Sequence, residues 1–429
     1  MPKRPYHLET LALHAGQEAD PTTQARAVPV YRTTAYKFRN SKHGADLFAL
    51  RELGNIYARL MNPTNDVLEN RVAALDGGAA GLSLASGTSA VYFSITNILR
   101  AGDELVSAVN LYGGTYTMFD AILPQQNISV RFTPINDFAA VEKAVNDKTR
   151  AIFIESIGNP LLDVADIAGY AAIAKKYQLP LIVDSTFTPP TLLRPIEYGA
   201  DIVIHSLSKW IGGHGVGIGG IVVDAGKFDW KNPKFALYNE PDRGYHGLRF
   251  AHDLGDLNPV AFALRLRTVG LRNQGPTLAP DAAWQFLQGV ETLPLRMAKH
   301  CENALKVAEY LQKHSKVAWV RYPGLPGDPS QALAQKYLPD GAGGMVVFGV
   351  KGGESAAIKL VDNIELFSLL ANVGDAKSLI IHPADTTHSQ LSGDAQAAGG
   401  LHADLIRLSI GLEHIDDILG ALSDALDII

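Results

Sequence analysis

Between Leu82 and Val223, short apolar runs alternate with stretches of helical pattern, and this alternation restricts the chain to a small set of folds. The runs are Leu82–Ala85, Glu104–Ser107, Ser129–Phe132, Ala151–Glu155, Leu181–Asp184, Ile202–His205 and Ile221–Val223. Helical patterns such as Asp166–Tyr177 (DIAGYAAIAKKY) lie between several of them. Strand, helix and strand in repetition require crossover connections, which predicts a mainly parallel sheet. The runs are apolar throughout rather than alternating, as strands covered by helices on both faces must be.

The rest of the chain reads differently. At 429 residues it is long enough for two domains. Ala282–Lys313 carries one long helical pattern, followed by expected strands at Val317–Tyr322 and Met345–Val350, a helix near Ser355–Asn363 and a terminal helix from Ile415. The division expected is an extended segment over 1–60, a large domain over 61–260 and a smaller α/β domain over 261–429. The first segment is aperiodic and rich in Thr, Arg and Tyr, a pattern suited to wrapping another surface.

Apolar residues at 47% against 19% charged exclude disorder, and a net charge of −6 argues against a nucleic-acid surface. No apolar run reaches the roughly 18 residues of a membrane span. The basic start, MPKRPYHLETLALHAG, has no apolar stretch behind it, so no secretory signal is expected and the cytoplasm is the expected compartment. The single cysteine, Cys301, sits in a helical pattern and reads as a packing residue without catalytic duty. His205, His214, His246, His382 and His388 lack metal-ligand spacing.

Three features carry chemistry. Ser86-Gly87-Thr88 follows a strand and opens a helix. Such a turn offers free amides and the positive end of the helix dipole to a phosphate, although an ordinary serine cap explains it equally. Asp184 ends an apolar strand, which places a carboxylate at the ligand-binding edge of a parallel sheet or in a structural hydrogen bond there. Lys209 follows the strand ending at His205, between Ser206, Ser208 and a run of glycines, one β-α-β step beyond Asp184. Gly215-Val-Gly-Ile-Gly-Gly220 satisfies a dinucleotide fingerprint, but it runs into a strand rather than a helix, so a nicotinamide cofactor is not expected. A phosphate turn, a strand-end aspartate and a loop lysine together describe pyridoxal 5′-phosphate. The lysine carries the cofactor, the aspartate pairs with the pyridine nitrogen, and small donors hold the phosphate.

These blocks resemble the Cys/Met-metabolism family of fold-type I pyridoxal phosphate enzymes, and within it the O-acetylhomoserine sulfhydrylases. The resemblance runs through LHAGQ, GNIYARLMNPT, SGTSA, NLYGGTY, ESIGNP, VDSTF, HSLSKWIGGHG, YHG, ANVGDAKSLIIHPADTTHSQL and LIRLSIGLEHIDDI. It implies a large, mostly parallel seven-stranded sheet domain flanked by helices, plus a smaller C-terminal α/β domain. Lys209 would be the cofactor-bearing lysine and proton shuttle, and Asp184 the partner of the ring nitrogen. Tyr112 would stack on the ring and assist as acid or base. Ser86, Gly87, Thr88, Ser206 and Ser208 would hold the phosphate, with Asn159 and Thr186 beside the ring. Tyr57 and Arg59 would reach the phosphate of a neighbouring subunit, Tyr57 touching substrate as well. Arg407 would clamp the substrate α-carboxylate, with Ser378 near it. From the residues alone, Arg407 reads as a surface arginine, Tyr112 as a packing tyrosine, and Tyr57 and Arg59 as loop residues.

The activity implied is γ-replacement on O-acetyl-L-homoserine, with sulfide or a small thiol giving L-homocysteine or methionine and acetate. A sulfur-carrier protein is an alternative source of sulfur, and a homotetramer is the implied assembly. Cystathionine γ-synthase, a methionine γ-lyase type of activity and a non-catalytic relative are the rival readings. The chain departs from the family pattern at Asp385, where serine is usual, at Ser208 and Trp210 around Lys209, and at Arg32, where glutamine is common. Asp385 either caps the Thr-Thr-His turn after it or repels the second charge of a succinyl ester, by about 1 kcal/mol at an intermediate dielectric.

Overall fold

The computed structural model describes residues 5–383 and 402–429. All seven apolar runs are strands: β1 Ala80–Leu84, β2 Glu104–Ala108, β3 Ser129–Thr133, β4 Thr149–Glu155, β5 Leu181–Asp184, β6 Ile202–Ser206 and β7 Gly220–Asp224. They form one sheet in the order β1-β7-β6-β5-β4-β2-β3. The pairs from β3 to β6 are parallel, whereas β7 is antiparallel to both β6 and β1. β1 therefore runs in the same direction as β6, and the carboxyl ends of β1, β2, β4, β5 and β6 share one edge.

The apolar runs are explained by the two faces they serve. Val106, Ile152, Ile154, Val183 and Val203 enter one core cluster, while Leu105, Phe153, Ile182, Ile202 and Ile204 enter the other. This is the two-residue alternation of a strand with apolar cover on both sides. β3, at the sheet edge, instead alternates exposed and covered positions (SVRFT).

A second sheet has the order β10-β11-β12-β9-β8, built from β8 Val317–Arg321, β9 Met345–Val350, β10 Ser368–Leu369, β11 Leu379–Ile381 and β12 Leu405–Ser409. Its last three strands were not expected from the sequence. Two have only two or three residues, too few to establish a period. The expected helix over Ala282–Lys313 is two helices, Pro280–Glu291 and Leu293–Lys313, joined at Thr292. Pro294 explains the break, because it has no N–H for the preceding turn and its ring crowds the carbonyl four residues back. Cys301 is buried in the second of these helices, and burial pushes its thiol up to about 11.

The expected boundary at 260/261 falls within continuous packing. Ala261, Phe262, Leu266 and Leu271 belong to one core face of the large sheet, and Phe286, Leu287, Val290 and Met297 to the other. The core of the second sheet begins at Ala304. Packing thus hands over from one sheet to the other inside the helix Leu293–Lys313. Among the described residues no helix is long and apolar enough to cross a membrane.

Phe286 connects this packing to the loops at the sheet edge. A Cβ on Gly219 would lie 2.5 Å from its ring, and one on Gly212 would lie 3.0 Å away. Phe286 is about 1% exposed. Phe286→Ala should therefore destabilise the protein by about 3–5 kcal/mol, measurable as a lowered urea midpoint at unchanged slope.

Candidate active site

The shared edge of the large sheet opens into a cavity of about 590 Å³. Ser86, Gly87, Thr88, Ser206 and Ser208 all line it. Ser86 is extended and its hydroxyl accepts from the Ser89 amide at 2.9 Å, which starts the helix Gly87–Thr96. The first turn of that helix carries no acidic residue, so its dipole faces the cavity uncompensated. A Cβ on Gly87 would lie 2.7 Å from Cβ of Ser206, so only glycine allows this turn to press against the end of β6. The Ser206 amide donates to Thr186 Oγ1 at 2.8 Å, and Ser208 Oγ accepts from the Gly219 amide at 3.0 Å. Hydroxyls and amides converge here in the manner a phosphate requires.

Asp184, at the end of β5, is in register with Glu155 at the end of β4, and both line the cavity. Burial, followed by repulsion from Asp184, holds the Glu155 carboxyl well above its ordinary range, against a hydrogen bond from the Tyr112 amide at 2.7 Å. Burial raises Asp184 as well, but hydrogen bonds from Thr186 and the nearby His205 oppose it. The upward shift is the larger for Glu155, so of the two carboxyls Asp184 gives up its proton first. Among the described residues neither carboxyl forms an ion pair with lysine or arginine, although Lys209 and Arg407 line the same cavity. Glu155 was missed in the sequence, although it closes an apolar run one strand from Asp184 and carries the same signal.

Lys209 lies in the loop after β6. Burial, then the positive charge of Arg407, lowers its amine to about 8. Its Nζ donates to Asn372 Oδ1 at 2.6 Å. Asn372 also lines the cavity and was not singled out, although its ANVGDAKSL block was. Arg407 comes from β12 of the second sheet. It is buried, lowered to about 10 by that burial, and its Nη1 donates to Asn159 Oδ1 at 3.2 Å. Tyr112 stands half exposed at the mouth, folded over Gly114, where a Cβ would lie 2.5 Å from its ring.

Other expected residues lie elsewhere. Ser378 is buried outside the cavity, donating to Glu413 Oε2 at 2.9 Å and accepting from the Gly411 amide at 2.9 Å. The expectation that it stands at the substrate carboxylate is corrected by its absence from the cavity lining and by these two bonds, which occupy its hydroxyl. Tyr57 and Arg59 are exposed and do not line this chain's own cavity; the Arg59 guanidinium lies 5.0 Å from the Tyr57 ring centre. Arg32 pairs with Asp281 on the exposed surface. Asp385 lies outside the described residues. The glycine run 215–220 leads into β7, as its context required, and Val216 and Ile218 form an exposed rim of the cavity.

These residues fit pyridoxal phosphate. There is an anion cradle that a Cβ at position 87 would fill, a strand-end carboxylate with no lysine or arginine ion pair among the described residues, and a lysine whose amine burial lowers to about 8, all lining one cavity.

The model of the Cys/Met metabolism PLP-dependent enzyme family matches residues 9–427. The chain is 54% identical to an O-acetyl-L-homoserine sulfhydrylase of Leptospira meyeri, covering 99% of this chain and 97% of that protein. It is 49% identical to a homocysteine synthase of Schizosaccharomyces pombe, covering 100% of both. A crystal structure described as an O-acetylhomoserine (thiol)-lyase from Campylobacter jejuni, containing an N′-pyridoxyl-lysine-5′-monophosphate, superposes with a TM-score of 0.95 at 41% identity. The alignment covers 98% of this chain and 100% of that one. With a family match over nearly its whole length and a lysine, an aspartate and a phosphate turn meeting in one cavity, the chain belongs to the pyridoxal phosphate-dependent enzymes of cysteine and methionine metabolism.

Proposed function

We propose that this protein is an O-acetyl-L-homoserine sulfhydrylase, replacing the acetate at Cγ of O-acetyl-L-homoserine with sulfide or a small thiol to give L-homocysteine or methionine. The observation that carries this reading is the placement of Lys209 between an anion cradle, the Asp184 carboxylate and the Arg407 guanidinium in one cavity. Full-length relatives named for this activity support it.

Pyridoxal phosphate, when bound, supplies an electron-withdrawing ring that stores the charge released from the substrate α-carbon. Ser86, Gly87, Thr88, Ser206 and Ser208 hold its phosphate. Asp184 would keep the ring nitrogen cationic, with Asn159, Thr186 and Tyr112 as the further side chains of the cavity that would hold the ring. Arg407 receives the substrate α-carboxylate in a fork suited to it. The Lys209 amine, held near neutrality, takes the proton from Cα and, once it has passed that proton on, takes one from Cβ. Acetate departs from Cγ, the sulfur nucleophile adds there, and Lys209 returns the protons to carbon. Tyr112, at the mouth, shields these steps from water.

The working enzyme in this proposal is a cytoplasmic homotetramer of two catalytic dimers, fed by sulfide, a small thiol or a sulfur-carrier protein. Within each dimer the segment 1–60 reaches the neighbouring subunit. Tyr57 and Arg59 support this, since both are exposed and neither lines its own chain's cavity.

Borohydride reduction with pyridoxal phosphate should fix the label on Lys209, and peptide mapping checks it; a label on another lysine would overturn the assignment. The burial that lowers the amine sets the sign of the pH effect. The neutral, reactive form of Lys209 should predominate above pH of about 8, so labelling should rise through that pH rather than near the usual 10.5. Asp184→Ala should still form the Lys209 adduct at saturating cofactor but bind it more weakly and lose about 10²–10³-fold in kcat, assayed as homocysteine formed from the acetyl ester and sulfide. Mixing inactive Lys209→Ala with inactive Arg59→Ala subunits should restore part of the activity through hybrid sites, and absence of rescue after demonstrated subunit exchange would remove the shared-site proposal.

A further inference from the structure

Directly behind the cavity wall lies a polar group with no part in the reading above. Asp76 ends the helix Pro63–Asp76, and His205 is the penultimate residue of β6; both are fully buried. His205 Nε2 lies 2.8 Å from Asp76 Oδ2, and its Nδ1 lies 3.1 Å from the carbonyl oxygen of Ser185. A carbonyl oxygen can only accept, so Nδ1 carries a proton. The other nitrogen faces a carboxylate, so a second proton is held on Nε2 or on Asp76. An imidazole with acceptors on both sides binds that proton tightly, and the ring is an imidazolium paired with Asp76. Asp76 Oδ1 has no hydrogen-bond partner among the described residues, so the whole hydrogen-bonding demand of this carboxylate falls on His205.

Ser185 is the residue between Asp184 and Thr186. Its carbonyl is held by His205, its amide donates to Ile204 at 2.8 Å, and the Thr186 hydroxyl accepts from the amide of Ser206 at 2.8 Å. The end of β6 thus fixes the turn that presents Asp184. The charged groups around it are Asp76 on the helix, Asp184 on β5, Glu155 on β4 and, against Gly77 on the adjoining turn, Arg194, which Glu197 already pairs. His205 is the cation in this set that acts on Asp184.

We propose that Asp76 and His205 form a buried proton-holding pair that keeps the Asp184 carboxylate ionised and oriented, which makes both of them positioning residues for the reaction. Burial pushes Asp184 towards its neutral form, and a neutral Asp184 could not hold a ring nitrogen cationic. The imidazolium offsets this from the side of Asp184 away from the cavity, where no ligand competes for it. The proposal rests on the assignment of Asp184 to the ring nitrogen.

The test uses the holoenzyme and three variants: His205→Gln, Asp184→Asn and the double variant. Glutamine can still donate to the Ser185 carbonyl but carries no charge. For each protein, the dissociation constant for pyridoxal phosphate and the pH dependence of the bound cofactor's visible absorbance are measured, with the melting temperature of the cofactor-free protein as a fold control. His205→Gln should weaken cofactor binding about tenfold or more, move the absorbance transition by about one pH unit, and lower kcat more than it raises KM. In the Asp184→Asn background the same change should alter affinity by less than about twofold, because the group acted on is gone. An equal loss in both backgrounds, or a wild-type absorbance profile in His205→Gln, would overturn the proposal. Should His205→Gln not fold, Asp76→Asn makes the same test, since it keeps the hydrogen bond and removes the charge that holds the second proton. A wild-type protein that binds no pyridoxal phosphate would instead refute the site assignment itself, so the two failures are distinct.

Discussion

A Cβ on Gly87 would stand 2.7 Å from Ser206, and one on Gly220 would collide with the carbonyl of Ser86. Three strand ends, those of β1, β6 and β7, therefore meet at backbone contact, and the rest of the site is spaced from that meeting. The anion cradle exists because the turn after β1 can press on the end of β6. Lys209 is three residues beyond Ser206, so the same contact sets its distance from the cradle. The antiparallel strand β7 makes this possible: inserted between β6 and β1, it brings the first strand of the sheet beside the last parallel one with its carboxyl end on the working edge.

The loop after β6 needs support from below, because its glycines supply none. Arg296 provides it, donating to the carbonyls of Trp210 at 2.8 Å, Ile211 at 3.0 Å and Gly289 at 2.7 Å. Burial lowers this guanidinium to about 10, a cost that three carbonyl acceptors offset. Phe286 fills the space beside Gly212 and Gly219 from the preceding helix. The helices between the two sheets thus serve as the floor of the Lys209 loop, which is why the packing does not divide at residue 260.

The parallel sheet was legible in the sequence because its strands are apolar on both faces, and each of the seven runs became a strand with ends shifted by a few residues. Asp184 and Lys209 were legible because a charge at the end of an apolar strand, or inside a glycine loop, has no packing role. Glu155 gave the same signal but was read only as the end of its run. The second sheet was harder. β10 and β11 are too short to show a period, and Arg407 sits in the middle of β12 where spacing alone marks it as surface. Ser378 and Asn372 lie six residues apart in one block, and no sequence pattern states which faces the cavity. The answer depends on Glu413, thirty-five residues away, whose carboxylate engages the Ser378 hydroxyl and amide and leaves Asn372 to meet Lys209.

Arg407 ties the second sheet to the chemistry of the first. It is held in β12 between β11 and β9, in register with Ile381 and Val347, so it moves only with that sheet. Its positive charge is one of the two causes that lower the Lys209 amine, after burial. In the role proposed for Arg407, a substrate carboxylate bound there would neutralise that charge and so weaken its effect on Lys209. The amine then gains proton affinity, which makes it a stronger base, at the moment a substrate carbon acid stands beside it. Before substrate arrives, the unneutralised guanidinium favours the neutral amine, the form that can bond to a carbonyl carbon. Under that proposal the same pair of groups would favour the nucleophile in the empty cavity and the base in the filled one, with the substrate's own carboxylate changing the balance.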